Sequence, residues 1–271
     1  MQRSVVVVPT YNEAENLPVL VEQTLAAGDF DILVVDDASP DGTGEVAERL
    51  SRLYDGRLAV IHRTRKEGIG PAYVAGFRQA LSASYDYVFQ MDADLSHDPR
   101  ALNALRDALA TADVAIGSRY VPGGNTEGWP WRRKLLSSWG SAYALVLLGV
   151  PVRDITGGFK GFRRRALESL DLARVGARGF GFQIEVNYQL HRAGYRLVEV
   201  PIVFADRRVG ASKMSWPIVA EALFLPWQLR LAEWRKGLAR QLAGEPNRVL
   251  RSLLTPLRLL AGGRAKNNPF L

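Results

Sequence analysis

Asp86-Tyr87-Val88-Phe89-Gln90-Met91-Asp92-Ala93-Asp94, residues 86–94, is an apolar segment that runs directly into a pair of acidic residues. Its length and apolar character are typical of a buried strand that ends at the two carboxylates. Similar short apolar segments occur at 4–8, 31–35, 58–62 and 113–117. Strands that are apolar on both faces form parallel sheets covered by helices on both sides, so the chain is predicted to be an α/β protein.

Longer segments with apolar residues at helical spacing separate these strands. They lie at 14–27, 43–54, 69–84 and 100–110. Farther along, the predicted elements are a loop at 121–134, helices at 135–148 and 180–193, a loop and strand at 154–162, a strand at 197–204 and a polar loop at 205–214. We expect one domain over residues 1–215 and a helical extension over residues 216–271.

Polar clusters follow four of the predicted strands. Parallel sheets of this class bind their ligands beyond the carboxyl ends of the strands, in the crevice where the strand order reverses. The clusters that fall at such ends are residues 9–13, 36–43, 92–97 and 117–120. The ligand site is therefore predicted at this edge of the sheet.

The pair Asp92 and Asp94 is the first candidate for a metal site. Mg²⁺ and Mn²⁺ prefer oxygen ligands and are often shared between carboxylates and a substrate phosphate. Two aspartates one residue apart occur about once by chance in a chain of this size, so the pattern alone is also compatible with a solvated turn. The position at the end of an apolar strand favours the ligand site.

Other acidic residues near the strand ends have structural alternatives. Asp41 and Thr43 are predicted to cap the following helix, as short polar residues do at a helix N-terminus. Asp37 is the candidate for contact with a nucleotide base or ribose. Glu13, just after the first strand, fits either a ligand contact or a carboxylate at the start of a helix.

Composition and charge narrow the class of protein. The chain has no cysteine, which excludes disulfides, cysteine nucleophiles and thiolate metal sites. We expect neither a signal peptide nor a membrane-spanning helix, because no apolar run approaches the ~20 residues that a spanning helix needs. The formal charge is +7, and residues 227–271 hold nine Lys/Arg and two Asp/Glu, so this surplus lies entirely in the tail.

Six motifs in order resemble those of the polyprenyl-phosphate (dolichol-phosphate) mannosyltransferases of glycosyltransferase family 2. The likeness covers about residues 4–214, and the ordered set is far more specific than any one motif. The motifs are Pro9-x-Tyr11-Asn12-Glu13, Val35-Asp36-Asp37-x-Ser39-x-Asp41-Gly42, Asp92-x-Asp94, Gly117-Ser118-Arg119-Tyr120, Asp154-x-Thr156-x-Gly158-Phe159 and Arg207-x-x-Gly210-x-Ser212-Lys213. The resemblance implies a GT-A fold, a catalytic domain at 1–215, a nucleotide-sugar donor and Mg²⁺ or Mn²⁺.

The resemblance also assigns residues to the donor and the metal. Asp92 would contact the sugar nucleotide and Asp94 the metal, and both would be catalytic. Some relatives have a metal-binding glutamine two residues after the second aspartate, where this chain has Ser96. The residues implied to bind the nucleotide sugar are Pro9, Tyr11, Glu13, Asp37, Asp92, Ala93, Asp94, Arg207 and Lys213.

Arginine suits the phosphates of both substrates, because its planar fork matches phosphate oxygens in a bidentate manner. A single arginine is more often only a surface charge, so the phosphate-binding arginines are assigned from the family pattern. It implies that Arg119, Arg133 and Ser137 face the lipid phosphate and that Arg119 is also catalytic. It also implies that catalytic Arg207, with Ser212 and Lys213, lies on a loop that closes over the site.

Two further segments have weaker assignments. Gln183 and Glu185 match a polar pair near the acceptor side of relatives. The segment at 154–159 has Gly157 where the family often has serine, and it shapes either the sugar pocket or only a structural turn.

The activity that the resemblance implies is inverting transfer of mannose from GDP-mannose to a polyprenyl phosphate. A second enzyme hypothesis keeps the acceptor and replaces the donor by UDP-glucose or UDP-GlcNAc. Other hypotheses are a non-catalytic lipid-phosphate-binding or scaffold protein and a nucleic-acid binder. The intact acidic pair argues against the scaffold, and the lack of a nucleic-acid motif argues against nucleic acid as a partner.

The tail favours a membrane surface. Residues 218–234 and 248–260 combine leucine, tryptophan and arginine in a pattern typical of amphipathic basic helices, which lie in the headgroup plane of anionic membranes. Packing on the domain and a subunit interface are the alternatives. We expect a cytoplasmic enzyme held peripherally at the cytoplasmic face of a membrane, docked by this tail or by a separate membrane protein.

Overall fold

The protein, seen as a computed structural model, is described here for residues 2–173, 175, 179, 181–206 and 223–235. Nine strands and seven helices are assigned in these ranges before residue 207. The strands are β1 Ser4–Thr10, β2 Asp31–Asp36, β3 Leu58–His62, β4 Tyr87–Gln90, β5 Val114–Ser118, β6 Asn125–Thr126, β7 Lys160–Arg163, β8 Leu197–Pro201 and β9 Val203–Phe204. The helices are α1 Asn16–Ala27, α2 Thr43–Leu53, α3 Ile69–Ser82, α4 Ala101–Ala108, α5 Trp131–Leu148, α6 Arg164–Glu168 and α7 Gly181–Arg192.

The main sheet has seven strands in the order β3-β2-β1-β4-β7-β5-β8. All neighbours are parallel except β7, which runs antiparallel to both β4 and β5. The chain adds β2 and β3 on one side of β1 and then crosses over to add β4 on the other side. The predicted α/β class with a mainly parallel sheet is confirmed, and the order reverses between β1 and β4, where a ligand crevice is expected.

Helices cover both faces of the sheet, which explains why its strands are apolar throughout. Successive strand residues point to opposite faces. Val6 and Val8 belong to one core cluster with apolar residues of α1, α2 and α4. Val7 points to the other face, where a Cβ at Gly76 of α3 would lie 2.3 Å from its Cγ1. Burial on both sides therefore selects valine at every position of the run.

Aromatic rings join α3 to the far side of the sheet. Tyr73 and Phe77 of α3 pack against Phe182 of α7, with ring centroids 5.8 and 6.4 Å apart, and Phe77 also meets Phe162 of β7. All four rings are fully buried or nearly so. This cluster anchors α3 and α7 behind the strand ends at which the site lies.

The loop predicted at 121–134 is only partly a loop. It contains β6, and α5 starts at Trp131 rather than at the predicted residue 135. Pro130 is the N-cap of α5 with φ −59°, and its carbonyl accepts a hydrogen bond from Arg133 N. Proline at a helix start needs no N–H partner, so the Pro-Trp sequence begins the helix four residues early.

The strand predicted at 197–204 is two strands. β8 pairs with β5 in the main sheet, whereas β9 pairs with β6 in a separate two-stranded sheet. Pro201 at the end of β8 has no N–H to continue the ladder, so the chain changes partner there. The short helix α6 was also not predicted, because five residues give too little periodicity.

The chain divides into two compact units, Met1–Leu223 and Phe224–Leu271. The predicted boundary at 215/216 lies outside the described residues and stays a prediction, as does the predicted helix at 248–260. Within the described part of the second unit, residues 224–235 are helical and expose Phe224, Trp227, Leu231 and Trp234. None of the described helices has the length and apolar character that crossing a bilayer requires.

Candidate active site

Three neighbouring strands bring the predicted donor residues to one edge of the sheet. β1 lies between β2 and β4, and Thr10 at the end of β1 is in register with Asp36 at the end of β2. Asp37 N donates to Thr10 O at 3.0 Å. Neighbouring strands lie ~4.8 Å apart, and β1 separates β2 from β4. The backbone at Asp37, after β2, is therefore about 10 Å from the backbone at Asp92, after β4.

Asp37 is buried and accepts several hydrogen bonds. Its carboxylate pairs with Arg63 and accepts the backbone N–H groups of Glu67 and Gly68 at 3.0 and 2.9 Å. These bonds fix the segment before α3 against the end of β2. Asp37 thus shapes this side of the site, and its contact with a nucleotide stays a prediction.

An open cleft lies before α3. Its volume is about 500 Å³, and it is lined by Arg65, Lys66, Glu67 and Gly68. The Lys66 ammonium lies 3.6 Å from the centre of the Tyr11 ring. An aromatic face with a cation next to it suits the base and phosphates of a nucleotide, whereas Arg65 pairs with Glu67.

The predicted nucleotide residues Pro9 and Glu13 flank the same edge. Pro9 is the sixth residue of β1 and is half-buried. The Glu13 carbonyl accepts the N–H groups of Asn16 and Leu17, and its carboxylate accepts Asn16 Nδ2 at 2.8 Å. Glu13 therefore organises the start of α1, which is the structural alternative that the sequence left open. Its place just after β1 also puts it at the strand ends.

Asp41 lies just before Gly42, the N-cap of α2, and bonds the start of the helix as expected of it. Its carboxylate accepts the backbone N–H of Thr43, the first residue of α2, at 3.0 Å. Burial alone would raise the pKa of Asp41, but hydrogen bonds from Thr43 and Ala14 outweigh it and lower the pKa. Asp41 is thus bonded to the start of α2, as predicted when helix capping was assigned to Asp41 and nucleotide contact to Asp37.

Asp92 is oriented from two sides. Tyr73 of α3 donates its hydroxyl to Asp92 Oδ1 at 3.0 Å, and Asp92 N donates to His97 Nδ1 at 3.3 Å. Burial, and then the charge of Asp92, raise the pKa of Tyr73 well above its ordinary value, so the phenol keeps its proton. Tyr73 was not identified from the sequence, since an isolated tyrosine in a helix has the pattern of a core residue.

The loop after β4 fits a divalent cation. Asp94 is buried, and its Oδ1 accepts the backbone N–H of Ser96 at 3.1 Å. Leu95, between them, has a left-handed φ of 60°. Ser96 Oγ is buried and has no hydrogen-bond partner among the residues that the structure describes. The described residues contain no group of three or more His, Cys, Asp or Glu side chains for a metal. A cation here would hence rest on one carboxylate, a hydroxyl and substrate phosphates, as Mg²⁺ often does.

Arg119 is held by a buried aspartate. Its Nε and Nη2 donate to the two carboxylate oxygens of Asp154 at 2.7 and 2.6 Å, and Nη2 also donates to Thr156 Oγ1. Burial opposes the charge, but the Asp154 pair prevails and raises the pKa of Arg119. One edge of the guanidinium is thus engaged, and its contact with an acceptor phosphate stays a prediction.

Asp154 is in turn fixed by β8. The Glu199 carboxylate accepts the backbone N–H groups of Arg153 and Asp154, each at 2.9 Å. Asp154 is fully buried. The segment at 154–159 therefore has a clear structural role in placing Arg119, and its contact with a sugar stays a prediction.

Arg119 and Arg133 meet at one aromatic ring. The Trp129 ring lies 5.3 Å from the Arg119 Cζ and 4.0 Å from the Arg133 Cζ. Arg133 Nη1 also donates to Asp206 at 3.1 Å. Ser137 lies one turn along α5 from Arg133, on the same side of the helix. The three residues predicted to face the acceptor phosphate are thus grouped by Trp129 and α5.

His97 connects the acidic and basic halves of the site. Its ring stacks on Phe159 at 4.9 Å and meets the edge of Phe204 at 5.2 Å. Burial lowers its pKa, although the charges of Asp92, Asp94 and Asp154 act in the opposite direction. Since Asp92 N donates to Nδ1, the ring is neutral with its proton on Nε2. The charges of the carboxylate pair and of Arg119 therefore all act on one buried imidazole.

A buried polar chain that sequence reasoning missed lies beneath the site. Lys160 Nζ and Gln90 Nε2 both donate to Gln183 Oε1 at 2.8 Å, and Gln90 Nε2 also donates to Gly158 O at 2.7 Å. Burial lowers the pKa of Lys160 to about 7. A Cβ at Gly158 would lie 3.4 Å from Asp92 Oδ2, so the chain supports the floor under Asp92. The sequence feature that could have revealed this chain is a lysine inside the apolar segment Phe159-Lys160-Gly161-Phe162.

The remaining predicted site residues lie on α7, between the two aspartates, or outside the described residues. Glu185 of α7 is buried and accepts Gln189 Nε2 at 3.2 Å, while Gln183 belongs to the buried chain. Ala93 is buried between the two aspartates. Arg207, Ser212 and Lys213 lie outside the described residues, so their predicted closure over the site stays a prediction.

Comparison with known proteins identifies close relatives of the chain. The sequence profile of glycosyl transferase family 2 matches residues 5–171. A polyprenol monophosphomannose synthase from Mycolicibacterium smegmatis is 48% identical over 235 residues, 86% of this chain and 87% of that protein. An undecaprenyl-phosphate mannosyltransferase from Micrococcus luteus is 45% identical over 241 residues, 89% of this chain and 99% of that protein.

Solved structures show the same fold at lower identity. A mannosyltransferase from Pyrobaculum calidifontis in complex with GDP-Man and Mn²⁺ has a TM-score of 0.53 and 21% identity, covering 96% of this chain and 80% of that one. A glucosyl-3-phosphoglycerate synthase from Mycobacterium tuberculosis in complex with Mn²⁺ and UDP has a TM-score of 0.59 and 18% identity, covering 91% and 80%. The GT-A fold expected from the sequence is thereby confirmed.

Proposed function

The chain belongs to glycosyl transferase family 2, and on that premise we propose that it transfers mannose from GDP-mannose to the phosphate of a polyprenyl lipid. The observation that carries the proposal is the arrangement around His97. Asp92 N donates to His97 Nδ1, and the Phe204 ring contacts both His97 and Arg119, so the acidic pair and the Arg119–Asp154 pair lie in the same part of the molecule. A site with both signs of charge suits two anionic substrates that must meet.

The donor side rests on the ends of β1, β2 and β4. Tyr11 and Lys66 offer a ring and a cation to the nucleotide, while Asp37 holds the segment that contains Lys66. Asp92, fixed by Tyr73, points to the sugar nucleotide. The full set proposed to bind the donor is Pro9, Tyr11, Glu13, Asp37, Asp92, Ala93, Asp94, Arg207 and Lys213.

Asp94 and Ser96 are the residues that would hold Mg²⁺ or Mn²⁺. The unpartnered Ser96 hydroxyl supports this role, and the diphosphate and water would complete the coordination sphere. When bound, the cation supplies positive charge that stabilises the departing nucleoside diphosphate. The support for a divalent metal includes the Mn²⁺ named for two of the solved structures.

The acceptor side rests on Arg119, Arg133 and Ser137. A phosphate monoester has its second pKa near ~6, so its attacking oxygen is anionic at neutral pH without a general base. The two guanidinium groups hold this phosphate and offset the repulsion between the substrates. Catalysis then consists of positioning and of preorganised charge.

The geometry of transfer is an in-line displacement at the anomeric carbon. The attacking phosphate oxygen approaches from the acceptor side while the bond to the diphosphate breaks on the donor side. This inverts the configuration, so an α-linked donor gives a β-linked lipid phosphate sugar. Arg119, aligned by Asp154, and catalytic Arg207 would orient the attacking phosphate.

The acceptor places the reaction at a bilayer. The basic tail supports peripheral binding, because residues 227–271 hold the whole charge surplus. The nucleotide-sugar donor fits the cytoplasmic face. Docking by a separate membrane protein is the alternative to docking by the tail.

The test is incubation of the full chain with radiolabelled GDP-mannose, a polyprenyl phosphate and MgCl₂ or MnCl₂, followed by phase extraction. We expect label in the organic phase, and its loss when a chelator is present. Unlabelled GDP-mannose should compete with the label, whereas UDP-glucose and UDP-GlcNAc should not. Label that stays in the aqueous phase although the protein is folded would contradict the proposal. Competition by a UDP-sugar would reassign the donor.

A further inference from the structure

Gln183 of α7 belongs to the buried polar chain beneath Asp92, and only one end of its amide is used there. The residue is 4% exposed. Its Oε1 accepts hydrogen bonds from Lys160 Nζ and Gln90 Nε2, both at 2.8 Å. The oxygen end of the amide is therefore bonded within the chain, and the nitrogen end is turned away from these two partners.

Two groups of fixed polarity determine the orientation of the Gln183 amide. An ammonium donates and does not accept, so the atom 2.8 Å from Lys160 Nζ is the amide oxygen. At the other end of the chain, the Gly158 carbonyl only accepts, so Gln90 presents its NH₂ group to it at 2.7 Å. Reversal of either amide would bring two acceptors or two donors together. The Gln183 amide thus has one orientation.

Gly158 leaves a space between the Gln183 amide and Asp92. An ideal Cβ at Gly158 would lie 3.7 Å from Gln183 Nε2 and 3.4 Å from Asp92 Oδ2. Both atoms therefore face the position where any other residue has its side chain. Gly158 and Asp92 are each partly exposed, so a ligand can reach this space. A donor N–H and a carboxylate oxygen thus flank one accessible point.

This pair of atoms suits a sugar hydroxyl and does not suit a phosphate. A hydroxyl both donates and accepts, so it can donate to Asp92 and accept from Gln183 Nε2 at the same time. A phosphate carries negative charge, which the Asp92 carboxylate would repel. Asp92 directly follows β4, next to the reversal of strand order, which is where a ligand is expected.

We propose that Gln183 is a specificity-determining residue whose Nε2 donates a hydrogen bond to a hydroxyl of the donor's sugar, while Asp92 accepts from the same hydroxyl. Lys160 and Gln90 are positioning residues, because they act through the Gln183 amide. The inference rests on the proposed function for the identity of the sugar nucleotide, and on the space at Gly158 for the contact. It assigns Gln183 to the sugar rather than to the acceptor side that the family resemblance implied.

Binding of GDP and of GDP-mannose separates a sugar contact from a general structural role. Gln183→Glu keeps an oxygen for Lys160 and Gln90 but replaces the N–H donor by a second oxygen. Isothermal titration calorimetry with MnCl₂ should show GDP-mannose bound about three- to tenfold more weakly, as for the loss of one hydrogen bond, and GDP bound as by the wild type. Gln79→Glu, at an exposed glutamine of α3, is the matched control and should change neither affinity. Equal losses for the two ligands, or an unchanged affinity for GDP-mannose, would overturn the proposal.

Gly158→Ala tests the space without any change of charge. The added Cβ would meet its neighbours at 3.4 Å or more, and Gly158 is not among the glycines with positive φ, so the variant should unfold at the wild-type midpoint. It should bind GDP-mannose about tenfold or more weakly, because the methyl group takes the place of the hydroxyl, and GDP normally. Gly140→Ala, where a Cβ meets nothing within 4 Å, should bind both ligands normally. Wild-type affinity of Gly158→Ala for GDP-mannose would show that no sugar enters this space.

Donors that each lack one sugar hydroxyl identify the contact. Wild type and Gln183→Glu should bind one such GDP-mannose analogue equally, because the hydroxyl that Gln183 contacts is missing from it. The same difference for every analogue would rule the contact out. Binding of UDP-glucose or UDP-GlcNAc by the wild type in place of GDP-mannose would contradict the proposed function, and the comparison of UDP with that sugar nucleotide would still decide on Gln183.

Discussion

Asp94 is the residue on which the metal assignment depends. Asp94→Asn keeps the shape of the side chain but removes the charge that a divalent cation needs. Loss of a metal contribution of several kcal/mol corresponds to a fall in kcat of roughly a hundredfold or more. Steady-state transfer assays over a range of Mg²⁺ and Mn²⁺ concentrations measure it.

Asp98→Asn is the matched control, because Asp98 lies on the same loop but pairs with the exposed Arg100. It should have wild-type turnover and metal dependence. Turnover of Asp94→Asn equal to that of the wild type would disprove the metal role.

The ion pair of Arg119 and Asp154 makes a stability prediction. Asp154→Asn leaves the guanidinium 9% exposed without its counter-charge. Removal of one partner of a buried pair costs about 3–5 kcal/mol. We expect that loss in the free energy of unfolding from denaturant titration. The double variant Asp154→Asn with Arg119→Met should recover part of it, and additive losses would mean that the two side chains are not coupled.

Lys160 predicts a pH dependence of stability. Burial lowers its pKa in the folded protein to about 7 from an ordinary 10.5, with Asp154 opposing the change. Between these two pH values the unfolded chain binds more protons, so stability rises with pH, whereas below about pH 7 both states are protonated and the contribution is constant. The full rise is on the order of 5 kcal/mol.

The Lys160→Met variant should lose this rise, as measured by denaturant unfolding at a series of pH values. Lys66→Met, at an exposed lysine, should keep the wild-type slope. Parallel curves for the wild type and Lys160→Met would show that Lys160 titrates as an ordinary lysine.

At the scale of elements, the contact between α3 and β1 depends on the absence of one methyl group. A Cβ at Gly76 would lie 2.3 Å from Val7 Cγ1 and 3.1 Å from Val35 Cγ2. Gly76→Ala should therefore destabilise the fold by about 1–3 kcal/mol through overpacking. Gly140→Ala on α5 is the matched change, because a Cβ there meets nothing within 4 Å.

The Gly140→Ala control should stabilise the protein by ~0.5–1 kcal/mol, since alanine favours the helix. Thermal unfolding of both variants gives the comparison. A neutral Gly76→Ala would mean that α3 can move away from β1, and Tyr73 would then be free to shift relative to Asp92.

At the scale of the whole molecule, the separation of charge predicts salt-dependent membrane binding. Residues 227–271 hold nine basic and two acidic residues, while the rest of the chain is neutral. Each basic residue near an anionic surface contributes ~1 kcal/mol at moderate salt, and this attraction is screened beyond the Debye length. Sedimentation with phosphatidylglycerol vesicles should show binding that weakens as NaCl is added.

The triple variant Arg248→Gln, Arg251→Gln, Arg258→Gln should bind more weakly and with a flatter salt dependence. Substitution of Arg49, Arg52 and Arg78, outside the tail, by glutamine serves as the charge-matched control. Binding of the wild type that does not change with salt would contradict an electrostatic role for the tail.

Several features could be predicted from the sequence because they depend on local pattern. Alternation of apolar strands with helical segments predicts the parallel sheet, and polar clusters at strand ends predict the edge at which the site lies. The acidic pair after β4 and the basic tail follow in the same way. Local propensity and strand-end placement act over a few residues, so they are visible in one dimension.

Pairings between distant residues were decided only by the tertiary structure. β7 inserts antiparallel between β4 and β5, which brings Asp154 to Arg119, 35 residues away, and Lys160 to Gln183, 23 residues away. Such contacts arise because a buried charge or amide must find a partner once packing removes water, and which partner is within reach depends on the arrangement of the elements. Sequence thus determined the chemistry available at the edge of the sheet, and packing decided which groups are engaged there.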